Sequence, residues 1–105
     1  MDTASSFTRS PLQMGRIVAT LEVIEACPRE RMLICVKRHG RGDWGCISRD
    51  DWSRNDEASR HGSRVISAYP IDPKGRTGAD GWNTFLIVTD AERKLTTLML
   101  PRELS

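Results

Sequence analysis

The eight residues 82–89, with the sequence WNTFLIVT, constrain the fold of this chain more than any other segment. They are rich in β-branched and aromatic residues, and apolar residues occupy both alternating faces. Such a strand must be covered on both sides, as expected of a central strand. Segments 64–69 (RVISAY) and 95–100 (LTTLML) have strand-like patterns and are separated from it by turn-forming residues. The sequence therefore predicts an antiparallel three-stranded meander in the last third of the chain.

One short strand and two helices are predicted before this meander. Residues 14–20 suit a strand, residues 21–26 a short helix, and Pro28 the first position of a second helix, where proline is tolerated. Gly40 is predicted to end that helix in a left-handed conformation, after a cationic last turn. The run MLICV within it could equally be a buried strand. The residues of the predicted buried stripe are Met32, Leu33, Cys35 and Val36.

A third helix, at residues 49–61, has the clearest local signal. Ser48 is a favourable N-cap, and Asp51 is placed to reach back to the Ser48 amide in a capping box. Acidic residues precede basic ones at four-residue spacing within the segment, which favours a helix. Gly62 supplies the C-terminal stop. We predict that this helix begins and ends within the 49–61 range.

Helices first and a meander last predict an α+β fold. The first strand is expected to join the meander in a four-stranded, mainly antiparallel sheet, with the helices packed on one face. The 105 residues suffice for one core only. We therefore predict a flexible N-terminal tail at 1–12, rich in Ser and Thr, and a single α+β domain at 13–105.

Composition argues against several functional classes. No apolar run approaches the roughly 20 residues that a membrane-spanning helix needs, and the N-terminus lacks the apolar core of a secretory signal. We therefore expect a cytoplasmic protein with no membrane partner. The three cysteines include no Cys-x-x-Cys pair, and neither histidine has metal-ligand spacing from them. No metal or other cofactor is predicted, and Cys35 is expected to be buried on a helix face.

The segment 37–46, KRHGRGDWGC, is the most unusual part of the sequence. It combines three basic residues, a histidine, an aspartate, a tryptophan and three glycines. Arginine and tryptophan are enriched at binding hot spots, and glycine lets a backbone approach another surface closely. A structural role stays open, in which Trp44 fills the core and Asp43 caps a tight turn. The predicted binding residues are Arg38, His39, Arg41, Asp43 and Trp44.

Several stretches resemble, in order, a family of small "plasmid-related" proteins of plasmids and integrated mobile elements. They include MGRIVAT, RHGRGDWG, RVISAYPI and FLIVTDAERKLTTLMLP, and the resemblance covers about residues 13–102. The chain departs from the family at 90–94 and in its C-terminal tail. The resemblance implies a mobile-element setting, in which small accessory proteins often act on host defence, and it implies no established activity. The matching positions are Arg38, His39, Gly42, Asp43, Trp44, Gly45, Asn55, Gly62, Tyr69, Thr96 and Thr97.

Helices followed by a small antiparallel sheet also resemble the barnase, colicin and RelE-like ribonucleases. Such enzymes cleave RNA without a metal, through a general acid or base and groups that stabilise the phosphorane. This resemblance implies His39 for proton transfer, Arg64 for the phosphate, and Thr96 or Thr97 as hydroxyl donors. The residue types alone favour both threonines as ordinary strand residues.

The sequence contains none of the strong catalytic motifs, such as a phosphate-binding loop, a nucleophile elbow or a zinc-protease helix. We therefore predict a non-enzymatic protein that binds a host or mobile-element protein and inhibits a restriction or CRISPR-type defence system. The net charge of +2 does not indicate nucleic-acid binding, although it leaves that open. The alternative is a metal-independent endoribonuclease of the barnase or RelE-like type.

Overall fold

A computed structural model describes residues 11–105 of the chain. The four strands form one sheet in the order β1-β4-β3-β2, in which β2, β3 and β4 are antiparallel and β1 is parallel to β4. This arrangement confirms the predicted α+β class and the mainly antiparallel four-stranded sheet. The elements in chain order are β1 Arg16–Ala19, α1 Leu21–Ala26, α2 Arg29–Gly40, α3 Arg49–His61, β2 Val65–Pro70, β3 Thr84–Thr89, β4 Leu95–Met99 and a 3₁₀ turn Pro101–Glu103.

The predicted central strand is central in the structure. All six residues of β3 are buried, because the strand has a neighbour on each side and a packed layer on each face. Its face toward α1 and α2 carries Phe85 and Ile87, which belong to the main apolar cluster with Val23 and Cys35. Its opposite face carries Leu86 and Val88, which form a second cluster.

Helix α2 confirms most of the predicted stripe but corrects one member. Met32 and Cys35 are buried and Val36 is half-buried, whereas the Leu33 side chain is 52% exposed. The helix turns by about 100° per residue, so a buried face centred on positions 32, 35 and 39 leaves Leu33 on its flank. The predicted burial of Leu33 is therefore wrong, and the residue that completes the buried face is His39.

The end of α2 also differs from the prediction. The helix continues through Gly40, its C-cap is Arg41, and the left-handed residue is Gly42 with φ of 83°. Gly40 has a packing role, because an added Cβ would lie 3.0 Å from the Met14 side chain. The Gly40 carbonyl accepts the N–H of Leu12 at 2.8 Å. The predicted tail at 1–12 otherwise falls outside the described residues.

Helix α3 has the predicted bounds and the predicted cap. The Ser48 hydroxyl accepts the N–H of Asp51 at 3.1 Å, and Gly62 ends the helix with φ of 77°. The Asp51 carboxylate accepts a hydrogen bond from Arg54 at 2.9 Å, in place of the expected return contact to Ser48. Of the thirteen residues of α3, only Asn55 is buried.

The outer edge of β2 is closed by two neighbouring segments. Ala68 donates its N–H to the carbonyl of Trp44 at 3.2 Å, and its carbonyl accepts the N–H of Cys46 at 2.8 Å. The Asn55 amide accepts from the N–H of Ile66 at 3.2 Å and donates to the Ile66 carbonyl at 2.5 Å. These contacts satisfy the backbone groups that an edge strand would leave open. Across residues 11–105, no helix is long and apolar enough to cross a membrane.

Candidate functional site

The loop after α2 is held by a closed set of polar contacts. The Arg38 guanidinium donates to the Asp43 carboxylate at 2.8 Å and lies over the Tyr69 ring, 5.0 Å from its centroid. Tyr69 in turn donates its hydroxyl hydrogen to the Asp43 carbonyl at 2.8 Å. The hydrogen bond from Arg38 is the main cause that lowers the pKa of Asp43. Arg38 and Asp43 therefore brace the loop against β2.

Trp44 is a core residue. Its side chain is fully buried, its ring meets the His39 ring edge-on at 5.6 Å, and its indole N–H donates to Asp56 of α3 at 2.9 Å. Gly45 brings the backbone against β2: it has φ of 81°, and an added Cβ would lie 1.8 Å from the Ala68 carbonyl oxygen. The geometry therefore supports a structural role for Trp44 and Gly45: Trp44 fills the core, and Gly45 allows the loop to approach β2.

His39 lies at the centre of a buried polar chain between α2 and the sheet. Its Nδ1 is hydrogen-bonded to the Ser67 hydroxyl, and its Nε2 lies 2.8 Å from the Thr89 hydroxyl. The Thr89 and Thr96 hydroxyls are 2.7 Å apart, and Thr96 donates to the Met14 carbonyl at 2.7 Å. The chain thus links α2 with three strands and with the segment before β1.

Counting hydrogens assigns a direction to every bond in this chain, because each hydroxyl has only one to donate. Thr96 gives its hydrogen to Met14, so Thr89 must donate to Thr96. Thr89 must then accept from His39, which places the imidazole hydrogen on Nε2. Nδ1 is left as the acceptor for Ser67. Neutral imidazole satisfies the whole chain.

Burial is the main cause that lowers the pKa of His39, to about 4, and the positive charge of Arg93 acts in the same direction. The side chain has no exposed surface. At neutral pH it is therefore an uncharged structural group that water does not reach. A general acid or base would need contact with a substrate, and His39 has none in this fold.

The residues implied for a ribonuclease do not converge. Thr96 is enclosed in the His39 chain, while Thr97, the next residue of β4, is half-buried and points to the other face. Arg64 is exposed and donates to the carbonyl of Ser105 at 3.2 Å. It lines an open cleft of about 640 Å³ that contains His61, the other histidine of the chain.

The structure also shows an apolar surface that the sequence interpretation missed. Within residues 11–105, seven large apolar side chains are exposed, and four of them lie on the consecutive helices α1 and α2. The sequence pattern did not reveal these four residues as a surface, because Leu33 fits the predicted stripe of α2 and only the rotation of the helix against the core exposes it. We call them the α1–α2 surface. They are Leu21, Ile24, Leu33 and Ile34, with exposed fractions of 71%, 52%, 52% and 53%.

Comparison of the chain with protein-family models, with curated proteins and with solved structures found no match. Both resemblances noted in the sequence therefore stay expectations. No group of three or more His, Cys, Asp or Glu side chains in the 11–105 region could hold a metal ion.

Proposed function

We propose that this protein is a non-enzymatic interaction domain that binds another protein through the α1–α2 surface. The supporting observation is that two consecutive helices leave four large aliphatic side chains half or more exposed, while α3 exposes none. Single exposed apolar residues are ordinary, but a concentration on adjacent helices is typical of a contact surface. Water is released when a partner covers such side chains, which favours association.

The expected energy of this contact is moderate. Covering the exposed half of an aliphatic side chain contributes about 1 kcal/mol, so the four together contribute about 4 kcal/mol before the costs of association. A specific complex therefore needs a polar rim as well. Glu25, Arg29, Glu30 and Lys37 are exposed on the same two helices and are available for that role, whereas Glu22 accepts a hydrogen bond from Arg102 at 3.0 Å.

The five binding residues predicted from the sequence contribute unequally to this proposal. His39 and Trp44 are enclosed in the core, and Arg38 and Asp43 are occupied with each other. Arg41 is exposed at the C-cap of α2. It is the one exposed residue of the five, so the proposed contact moves from the 37–46 loop to the helices beside it.

We take the partner to be a host or mobile-element protein in the cytoplasm, with inhibition of a restriction or CRISPR-type defence as the outcome. The support for this finer statement is the sequence resemblance to proteins of plasmids and integrated elements. The physical support concerns the kind of contact: exposed aliphatic side chains on α1 and α2, together with exposed charges of both signs on the same helices.

The ribonuclease alternative has less support from the geometry. It requires a proton-transferring group in an open cleft beside a phosphate-binding cation, and His39 is buried with all of its hydrogen bonds made. Arg64 shares its cleft with His61, so an enzyme of this type would have to use His61. That histidine already lies 3.9 Å from the Glu57 carboxylate.

Capture from a host lysate, followed by mass spectrometry, tests the proposal. We expect Leu21→Glu/Ile34→Glu to reduce capture of the identified partner at least tenfold, because each charge would have to be buried in the contact. Trp82→Glu is the control, since it places one such charge on an exposed apolar residue that belongs to neither helix. Equal capture by the double variant and the control would refute the proposed surface.

An RNA-cleavage assay with purified protein tests the ribonuclease alternative. Purified wild-type protein should leave total RNA intact in the absence of a divalent metal. Metal-independent cleavage that is lost in His61→Ala or Arg64→Ala, with the thermal unfolding midpoint unchanged, would overturn the proposal in favour of the ribonuclease.

A further inference from the structure

The rest of the chain covers one edge of the sheet, at β2, and leaves backbone groups open at the other, at β1. The edge at β2 is closed by the Trp44–Cys46 segment and by Asn55. At the other edge, Arg16 and Thr20 donate their N–H groups to Lys94 and Leu98, each at 3.0 Å, and so turn their backbones toward β4.

Because backbone groups alternate along a strand, Ile17 and Ala19 point their N–H and C=O groups away from the sheet. Within residues 11–105, no backbone or side-chain hydrogen bond reaches the N–H of either residue. The Ile17 side chain is 47% exposed. An edge with open backbone groups and an exposed aliphatic residue is a template for another strand.

The flank of α2 beside this edge is apolar as well. Leu33 and Gly40 are seven residues apart and therefore lie on the same stripe of the helix. Gly40 packs against Met14, just before β1. Ile17 faces the same side of the sheet, because its register partner Thr96 points to His39 through Thr89. An added strand at β1 would thus cover Ile17 on the side of the sheet that α2 packs against.

We propose that β1 pairs antiparallel with β1 of a second copy of this chain, across a two-fold axis at Val18, so that two four-stranded sheets become one. In this register Ile17 lies opposite Ala19 of the second copy, and the pair exchanges both backbone hydrogen bonds. Symmetry repeats the exchange, which satisfies all the outward groups of both strands.

The charge pattern supports a second copy as the occupant. Arg16 is the one charged residue of β1, and in this register it lies opposite Thr20 of the second copy. It does not meet itself, and like charges directly opposite each other would oppose pairing. Val18 meets Val18 of the second copy on the other face. The strand is therefore its own complement in hydrogen bonding, and its charges do not meet in this register.

The test is the oligomeric state of the full chain, measured by sedimentation over a hundredfold concentration range. We expect the wild type to change reversibly from monomer to dimer. Ile17→Pro should raise the dissociation constant at least tenfold, because it removes an N–H that points outward and takes no part in β1–β4 pairing. Ile17→Lys is the second variant, which keeps the N–H but adds a charge that the two-fold axis would bring close to its copy. Trp82→Lys should dimerise like the wild type.

Amide hydrogen exchange identifies the contact. The exchange rates of the Ile17 and Ala19 amides should fall as the protein concentration rises. The decrease should match the fraction of dimer measured by sedimentation. A monomer at every concentration, a dimer that survives both Ile17 variants, or a dimer without protection of these two amides would each overturn the proposal. Leu33 belongs both to the α1–α2 surface and to the flank beside β1, so the capture test uses Leu21 and Ile34, which the β1 contact does not require. Capture that depends on these two residues can succeed or fail whatever the oligomeric state.

Discussion

Helices α2 and α3 have nearly the same length but are held in the fold by different means. α2 directs Met32, Cys35 and His39 into the core and is fixed by what they contact. α3 buries Asn55 alone, and its other residues are exposed or half-buried, yet it has a side-chain cap at its start and a glycine at its end. Helix α2 therefore depends on distant parts of the chain, whereas both ends of α3 are fixed by its own capping residues.

This difference predicts where substitutions do most damage. A buried polar group in α2 is tied to three strands, so its loss leaves several partners unsatisfied. A capping residue in α3 serves one helix end, so its loss removes about one hydrogen bond.

The largest effect is expected at His39. His39→Leu removes the group that joins the Ser67 and Thr89 hydroxyls and leaves both buried without it. An unsatisfied buried polar group costs about 1–3 kcal/mol, so we expect a loss of about 3 kcal/mol or more in the free energy of unfolding at neutral pH. The midpoint and slope of urea denaturation measure this loss.

A triple variant separates hydrogen bonding from packing. Ser67→Ala/His39→Leu/Thr89→Val removes both partners of each hydrogen bond that His39 makes, and such paired removal can be nearly neutral. Thr96 keeps its bond to Met14 in this background. We expect the triple variant to recover most of the stability that the single variant loses. A single variant as stable as the wild type would show that the chain of hydroxyls does not fix α2.

The second prediction is a loss of stability in mild acid. The pKa of His39 is lowered from its ordinary value of 6.5 to about 4, chiefly by burial. The unfolded chain therefore takes up a proton at this residue before the folded chain does. The stability is fully present above pH 6.5 and falls as the pH decreases toward 4. At about 1.4 kcal/mol per pKa unit, the expected total is about 3 kcal/mol.

The triple variant is also the control for this pH dependence, since it lacks His39. Asp43 is distinguishable, because Arg38 lowers the pKa of its carboxyl below 3.8 and any stability it adds is lost only at lower pH. Equal loss of stability between pH 6.5 and 4 in the wild type and the triple variant would contradict the assignment to His39.

The same comparison explains what the sequence could and could not predict. The bounds of α3 and the central position of β3 follow from local capping and from apolar pattern, so both were predicted. The burial of His39 was not, because its partners Ser67 and Thr89 lie 28 and 50 residues away in the chain. Nothing in the KRHG segment shows that a histidine there will find two hydroxyls.

Leu33 shows the opposite error. An aliphatic residue three positions before Val36 is expected on the buried face of the helix, yet the Leu33 side chain is 52% exposed. Its place depends on how α2 is rotated against the sheet, and that rotation is decided by His39 and Cys35 packing inward. The α1–α2 surface and the open edge of β1 likewise depend on how the helices and strands pack together in the fold. The pattern of apolar residues in the sequence alone does not reveal them.

The smallest effect is expected at the cap of α3, where Ser48 accepts the N–H of Asp51. Ser48→Ala should cost about 1 kcal/mol, and Ser48→Gly only a few tenths of that unit, because glycine lets water reach the open N–H groups. Ser53→Ala is the matched control: it removes the same hydroxyl from an exposed position inside the helix, where alanine is the better helix former. We therefore expect a small gain for Ser53→Ala in the same urea titration. A loss at Ser48 as large as that at His39 would show that the start of α3 is also fixed by distant contacts, and the contrast between the two helices would then fail.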